Sequence, residues 1–357
     1  MTKLLLTGAS GFVGSHILEH VLLNTNWDVV CPITQQHHGA IARVYHSDHW
    51  KKHSSRVQII NCDLSMPITK QDAFNLFTGV SLVWHLAADS HVDRSITDPA
   101  PFITNNVAVT LNLLEALRKG NWFQQMTHII QFSTDEVYGP ADSVGDNHKE
   151  WAPIMPSNPY SASKACQEAI AFSFWRTYGL PIIITNTMNV FGERQDPEKF
   201  IPKCIRNFMA GKPVDVHCAP DGTPGSRYYI HARNVADALL YITKNLTVQY
   251  YNNSRGSTSN CPRRFNIVGE LEVDNVTLAL KIADVCNEYN MDNNLMGVRH
   301  VPDFVNKVSF HATRPGHDLR YGLDGSKLAE LGWRPPKIFE DSLRKTVKWA
   351  LQHPEWL

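Results

Sequence analysis

Lys3-Leu4-Leu5-Leu6-Thr7-Gly8-Ala9-Ser10-Gly11-Phe12-Val13-Gly14 opens the chain. A short apolar run ends in three glycines spaced three apart, and a stretch with helical character follows. Glycines at such a strand-to-helix junction permit a tight turn and let backbone N–H groups and a helix N-terminus approach a pyrophosphate. Three glycines alone are a weak signal, but in the order strand, loop, helix they predict a dinucleotide site on Gly8, Gly11, Phe12, Val13 and Gly14.

Outward from this loop the rhythm repeats. Short continuous apolar runs recur at Asp28–Cys31, Val57–Ile60, Leu82–His85, His128–Phe132 and Pro181–Thr185. They are continuous rather than alternating, as expected of strands buried on both faces. Helical periodicity fills several gaps. Val107, Leu111, Leu114 and Leu117 form one apolar stripe, a candidate for core or for the face of a dimer. Asn158 followed by Pro159 reads as an N-cap with proline at the first helical position, starting a helix to about Trp175. Strands and helices in alternation imply an α/β fold with a doubly wound, Rossmann-type parallel sheet, ligands lying at the carboxyl ends of its strands. Beyond about Asn189 the rhythm is lost and Pro and Gly gather in Lys212–Gly225. The predicted division is a dinucleotide-binding domain over 1–188, rejoined by part of 228–265, and a smaller mixed substrate domain over 189–357.

Composition narrows the function. At about 150 residues per domain, 357 residues make one large domain or two modest ones. With 34 basic and 34 acidic residues the formal net charge is zero, so nothing global draws the chain to nucleic acid or an anionic membrane. No apolar run approaches the roughly 20 residues that span a bilayer, and no secretion signal is visible, so a cytoplasmic protein is expected. Seven scattered cysteines without a C-x-x-C pair argue against a disulfide framework or a thiolate zinc site. His16-Ile17-Leu18-Glu19-His20 matches an H-x-x-E-H zinc pattern. A helix packed on the sheet behind a cofactor offers no open cleft for a catalytic metal, so these two are read as helix-surface histidines and His37-His38 as a solvated loop. No metal site is predicted.

Further cofactor contacts are expected at the ends of other strands. Asp63, beside Leu64, could accept a hydrogen bond from an adenine amino group, and Leu86, Ala87 and Ala88 are small enough to let a cofactor backbone lie close. NAD sites usually place an acid after the second strand for the ribose hydroxyl. Here the residues are Pro32-Ile33-Thr34-Gln35-Gln36, so NAD is the expected cofactor while NADP stays open. Tyr160-Ser161-Ala162-Ser163-Lys164 puts a phenol and an ammonium on one helix face. The ammonium should pull the phenol's pKa down toward working pH, making Tyr160 a base for a sugar or alcohol O–H.

With these motifs the chain resembles the extended short-chain dehydrogenase/reductase family, Thr134 taking the usual Ser/Thr position. Within it the chain is similar to the nucleotide-sugar 4,6-dehydratases, most closely those acting on dTDP-glucose. The matching stretches are Ala87–Ser95, Ser133–Gly139, Pro159–Lys164, Asn189–Gly192, Pro197–Pro202 and Arg314–Asp318. The resemblance implies a homodimer and a cycle in which Tyr160, Lys164 and Thr134 serve oxidation at sugar C4. Asp135 and Glu136 then serve as acid and base in the loss of water, two adjacent carboxyls dividing the roles if one is charged and the other protonated. It also implies that His91, Ser95, Asn189, Lys199, His217, Arg227, Asn266, Arg314 and His317 lie against the nucleotide sugar, the basic ones holding its diphosphate. His217, the Cys218–Gly225 loop and Arg227-Tyr228-Tyr229 depart from the usual pattern, which leaves UDP-glucose as the second substrate. A nucleotide-sugar 4-epimerase or decarboxylase is the enzymatic rival.

Overall fold

Leu4, Leu5 and Leu6 are all fully buried, yet they face opposite ways. Leu4 and Leu6 pack beneath the first helix, while Leu5 packs with Val30, Val83 and Ile129 on the other side. A strand covered on both faces needs apolar side chains at every position, which is why these runs do not alternate. The computed structural model describes residues 2–34, 40–46, 48–141, 145–245, 261–293, 304–309 and 319–357.

Seven parallel strands make the main sheet. They are β1 (Lys3–Thr7), β2 (Asp28–Ile33), β3 (Val57–Asn61), β4 (Leu82–His85), β5 (His128–Thr134), β6 (Ile182–Thr187) and β10 (Arg263–Ile267). Their order is β10-β6-β5-β4-β1-β2-β3. The chain runs outward from β1 to β3, then returns to the other side of β1 and continues in the opposite direction. The reversal opens a crevice at the carboxyl ends of β1 and β4, where such sheets bind ligands. Helices α1 (Phe12–Asn24) and α9 (Ala232–Asn245) cover one face. The other is covered by α4 (Lys70–Phe77), α6 (Pro99–Lys119) and α7 (Pro159–Tyr178). The short helices α2 (Ala42–Tyr45), α3 (Asp48–His53) and α5 (Val92–Thr97) lie in the connections.

The remaining elements pack around a separate core containing Phe191, Ile205, Phe208, Ile282 and Val347. Strands β7 (Asn189–Phe191), β9 (Ser226–His231) and β11 (Glu272–Asp274) form a three-stranded sheet, and β8 (Val214–Cys218) pairs with β12 (Val305–Ser309). Helix α8 (Phe200–Met209), the helix Asn275–Asp292 and the C-terminal helix Phe339–Gln352 complete this lobe. The chain re-enters the main sheet through α9 and β10, because α9 carries a continuous apolar face of Val235, Ala238, Leu239 and Ile242 that packs with α1.

One sequence expectation changes here. His16 is not on the helix surface. It is fully buried, its Nε2 lying 2.8 Å from the Glu193 carbonyl, because the second lobe and α9 cover this side of α1. His20 faces Asp237 at 3.6 Å, and Glu19 takes Arg194 at 3.0 Å, so the three residues do not converge on a common point as metal ligands would. The α6 stripe is only half core: Leu114 and Leu117 are buried, whereas Leu111 is 42 % exposed. His37 and His38 lie outside the described residues.

Candidate active site

The loop after β1 is shaped by steric necessity. Gly8 has φ +74°, and a side chain there would press within 3.1 Å of the Ala87 nitrogen; a Cβ on Gly14 would lie 2.0 Å from the Gly8 carbonyl oxygen. Only glycine lets α1 start this close to the strand. The first turn of α1 contains no acid, and its leading N–H groups have no partners within the helix, which suits a diphosphate. The neighbouring wall is set by Thr7. Its Oγ1 accepts the N–H groups of Leu86 and Ala87, each at 3.0 Å, so its own proton points to His85 Nδ1 at 2.8 Å. That fixes the imidazole proton on Nε2, which faces Thr110 Oγ1 at 3.0 Å. Burial and the Lys164 charge push His85 down to about 3, so the ring stays neutral and the relay is fixed.

This loop opens into a cleft of about 1090 Å³ between the two lobes. Gly8, Gly11, Phe12, Val13, Gly14, Asp63, Leu64, Leu86, Ala87 and Ala88 line one end, and Thr134, Asp135, Glu136, Tyr160 and Lys164 line the middle. A cradle that a single Cβ would fill, next to small residues, fits a dinucleotide.

Thr134 ends β5, opposite Thr187 of β6, and caps a short turn that holds Asp135 and Glu136. Thr134 Oγ1 donates to Asp135 Oδ1 at 3.0 Å. Asp135 is 4 % exposed, and burial together with the neighbouring Glu136 pushes its carboxyl up to about 7. Glu136 is half-buried and its Oε2 accepts Asn158 Nδ2 at 3.0 Å. Asn158 is the N-cap of α7 and shares a capping box with Ser161, so the residue that starts the helix also holds the second carboxylate.

Tyr160 faces the cleft one turn before Lys164. Contrary to the sequence expectation, the phenol is held well above its ordinary value, by enclosure and by the charges of Glu136 and Asp135, with Thr134 partly opposing. The ammonium of Lys164 is turned instead to the Phe132 carbonyl at 2.7 Å and to Gln167 Oε1 at 2.5 Å, and burial lowers it to about 8.

Of the expected substrate residues, His91, Asn189, Lys199, His217 and Arg227 line the cleft. Two do not. Ser95 is fully buried behind Tyr160, where its Oγ accepts the Tyr160 N–H at 3.1 Å, so it positions the phenol's helix rather than meeting a ligand. Asn266 is fully buried in β10 and donates to the His148 and Asp324 carbonyls, each at 3.0 Å; the edge position of its strand turns it toward these loops. Arg314 and His317 lie outside the described residues. Arg227 stacks over Tyr321 at 4.6 Å and donates to the Leu319 carbonyl at 2.5 Å.

Sequence reasoning missed Gln167, Asn158 and Arg43. Gln167 stands three residues after Lys164 and could have been found from helical spacing. Asn158 shows in sequence only as a cap. Arg43 lines the cleft because it reaches across the lobes to the Arg194 carbonyl at 3.0 Å and to Asp196 at 2.6 Å, a contact spanning 150 residues that no local pattern announces.

Known proteins are similar to this chain along nearly its whole length. Residues 5–346 match the family described as GDP-mannose 4,6 dehydratase. The dTDP-glucose 4,6-dehydratase of Neisseria meningitidis serogroup B is 36 % identical, covering 100 % of this chain and 95 % of the relative. That of Salmonella typhimurium is 34 % identical, covering 99 % and 94 %. The solved structure of DesIV, a dTDP-glucose 4,6-dehydratase from Streptomyces venezuelae with NAD bound, superposes with a TM-score of 0.79 at 30 % identity, covering 99 % of this chain and 98 % of that one.

Proposed function

Because the chain belongs to the GDP-mannose 4,6-dehydratase family, a branch of the extended short-chain dehydrogenase/reductases, we propose that its cleft converts dTDP-glucose to dTDP-4-keto-6-deoxyglucose. It is an NAD-dependent hydro-lyase. The observation that carries this reading is the pair Asp135 and Glu136 in one cleft with Tyr160, the first held up to about 7 and so available as an acid.

NAD, which the loop of Gly8, Gly11 and Gly14 would hold, would supply a reversible acceptor for the hydride that leaves C4 and is delivered to C6, and its positive charge would lower the phenol's pKa as Tyr160 needs to act as a base. Tyr160 takes the proton of the 4-OH, and Thr134 hydrogen-bonds the same oxygen. Lys164, held by Phe132 and Gln167, places its ammonium one helical turn after the phenol. Oxidation at C4 acidifies the C5 proton, which Glu136 removes. Asp135 protonates the departing C6 hydroxyl, which leaves as water. Lys199 and Arg227 face the nucleotide diphosphate, His217 the base, and Asn189 the sugar. The reaction is redox-neutral overall, so the cofactor stays bound from turn to turn.

UDP-glucose is the second substrate candidate, since His217 and the loop after it depart from the family pattern. Incubation with each nucleotide glucose, followed by mass measurement for loss of one water, separates these substrates from one another and the dehydratase from a 4-epimerase or decarboxylase. The decisive variant is Glu136→Gln. It should still oxidise C4, so reduced nicotinamide accumulates, but fail to release water; normal turnover in this variant overturns the assignment.

The same reading makes the protein a cytoplasmic homodimer. Cys31, Cys62, Cys166, Cys204, Cys218 and Cys286 form no disulfide, and no helix among the described residues is long and apolar enough to cross a membrane. Helix α6 leaves Ile103 and Leu111 exposed at 39 % and 42 %, a face suited to a second copy.

A further inference from the structure

Outside the cleft, three metal-ligating side chains from distant parts of the chain meet. His46 follows α2, and His353 and Glu355 follow the C-terminal helix; one donor atom from each lies within 4.8 Å of the others. We propose that His46, His353 and Glu355 bind one transition-metal dication of the zinc class, with water as the fourth ligand.

The donor chemistry selects this class. Two imidazoles and one carboxylate suit zinc and its borderline neighbours, whereas magnesium and calcium call for oxygen alone. His353 is already oriented for the task. Its Nδ1 lies 2.9 Å from the Trp349 carbonyl, and an N–H there leaves the lone pair on Nε2 outward. Ligating histidines are commonly fixed through their other ring nitrogen in this way. The ring also stacks on Trp349 at 4.3 Å with 13° between planes, so its direction is set by two contacts. The side chains of His46 and Glu355 have no hydrogen bond or ion pair among the described residues, so neither must give up a partner to bind. Tetrahedral bonds of about 2.0–2.2 Å place ligand atoms roughly 3.4 Å apart, a closure of about 1.5 Å that the exposed side chains of His46 and Glu355 can make by rotation.

The site would join two segments that otherwise meet through aromatic contacts. His46 packs edge-on to His353, and the Arg43 guanidinium lies 5.6 Å over the Trp356 ring. Arg43 is also the residue that lines the cleft and grips Asp196. A metal here therefore pins the C-terminal turn to the cleft wall, a structural clamp with no part in the chemistry.

The test titrates the metal-stripped full chain with zinc by calorimetry and with cobalt by visible absorption. One equivalent of zinc and a tetrahedral cobalt spectrum are expected. His46→Ala and His353→Ala should each weaken binding at least about 10-fold, as removal of even an outer-shell partner does at other sites. His37→Ala with His38→Ala, removing a competing pair of histidines, should leave it within about twofold. Matching melting curves of all variants in chelator would establish that they fold alike. Failure to bind one equivalent, or binding that persists in His46→Ala and vanishes in the His37 and His38 double variant, overturns the proposal. Neither result bears on the dehydratase reading.

Discussion

Replacing Asp135 by Asn should increase stability at alkaline pH while removing activity. Asp135 is 4 % exposed, and burial followed by the Glu136 charge raises its carboxyl from 3.8 to about 7. An acid whose folded value lies above its unfolded one binds more protons in the native state throughout that window. Stability therefore falls as pH rises from about 4 to about 7, and the loss is complete above it. Three pH decades at ~1.36 kcal/mol each give a penalty of ~4 kcal/mol. An amide of the same shape does not ionise and escapes it. Thr134 can still donate to Asn Oδ1, whereas Asp135 Oδ2 is buried without a hydrogen-bond partner among the described residues, so an NH2 there costs about 1–3 kcal/mol. That cost is the same at every pH, so the informative quantity is the slope. Urea unfolding of both proteins across this range should show the variant's relative stability rising by up to ~4 kcal/mol from the acid to the alkaline end. Dehydration, which needs a proton that an amide cannot give, should fall by about 10²- to 10⁴-fold. A stability difference that stays constant across the range would refute the buried-acid argument.

Two further outcomes follow from the geometry around the site. Gly14→Ala puts a methyl 2.0 Å from the Gly8 carbonyl oxygen, a backbone atom that cannot swing away, so α1 must lift from β1; extraction of the purified variant should yield little or no NAD, and retention at the wild-type level would contradict the cradle. Asn158→Ala removes both the acceptor for the Ser161 N–H at 2.9 Å and the donor to Glu136 at 3.0 Å; it should cost about 1 kcal/mol in stability and lower kcat with little change in KM, whereas an unchanged kcat would show that Glu136 needs no such support.

Much of the cofactor half was legible because its determinants are local. Gly8, Gly11 and Gly14 lie within seven residues of one another, and the turn they permit depends on backbone sterics alone. The Tyr160 and Lys164 spacing likewise defined a helix face before any packing was known. What failed were inferences about charge and exposure. The sequence expects Lys164 to lower the Tyr160 phenol, yet enclosure first, and then the charges of Glu136 and Asp135 from the turn after β5, raise it, while the ammonium is taken by Phe132 and Gln167. Ser95 and Asn266 illustrate the same limit: a motif can mark a residue as belonging to a site without saying whether it faces the ligand or the scaffold behind it.

Period, glycine spacing and capping determined the strands, the glycine loop after β1 and the start of α7, since each is decided by neighbours a few residues apart. Tertiary structure alone decided that Asp135 is buried with its carboxyl held up to about 7, that His16 is covered by the second lobe, and that Arg43 crosses to Asp196 beside the C-terminal turn. Those outcomes depend on desolvation and on contacts between segments 100 or more residues apart, which no linear pattern carries.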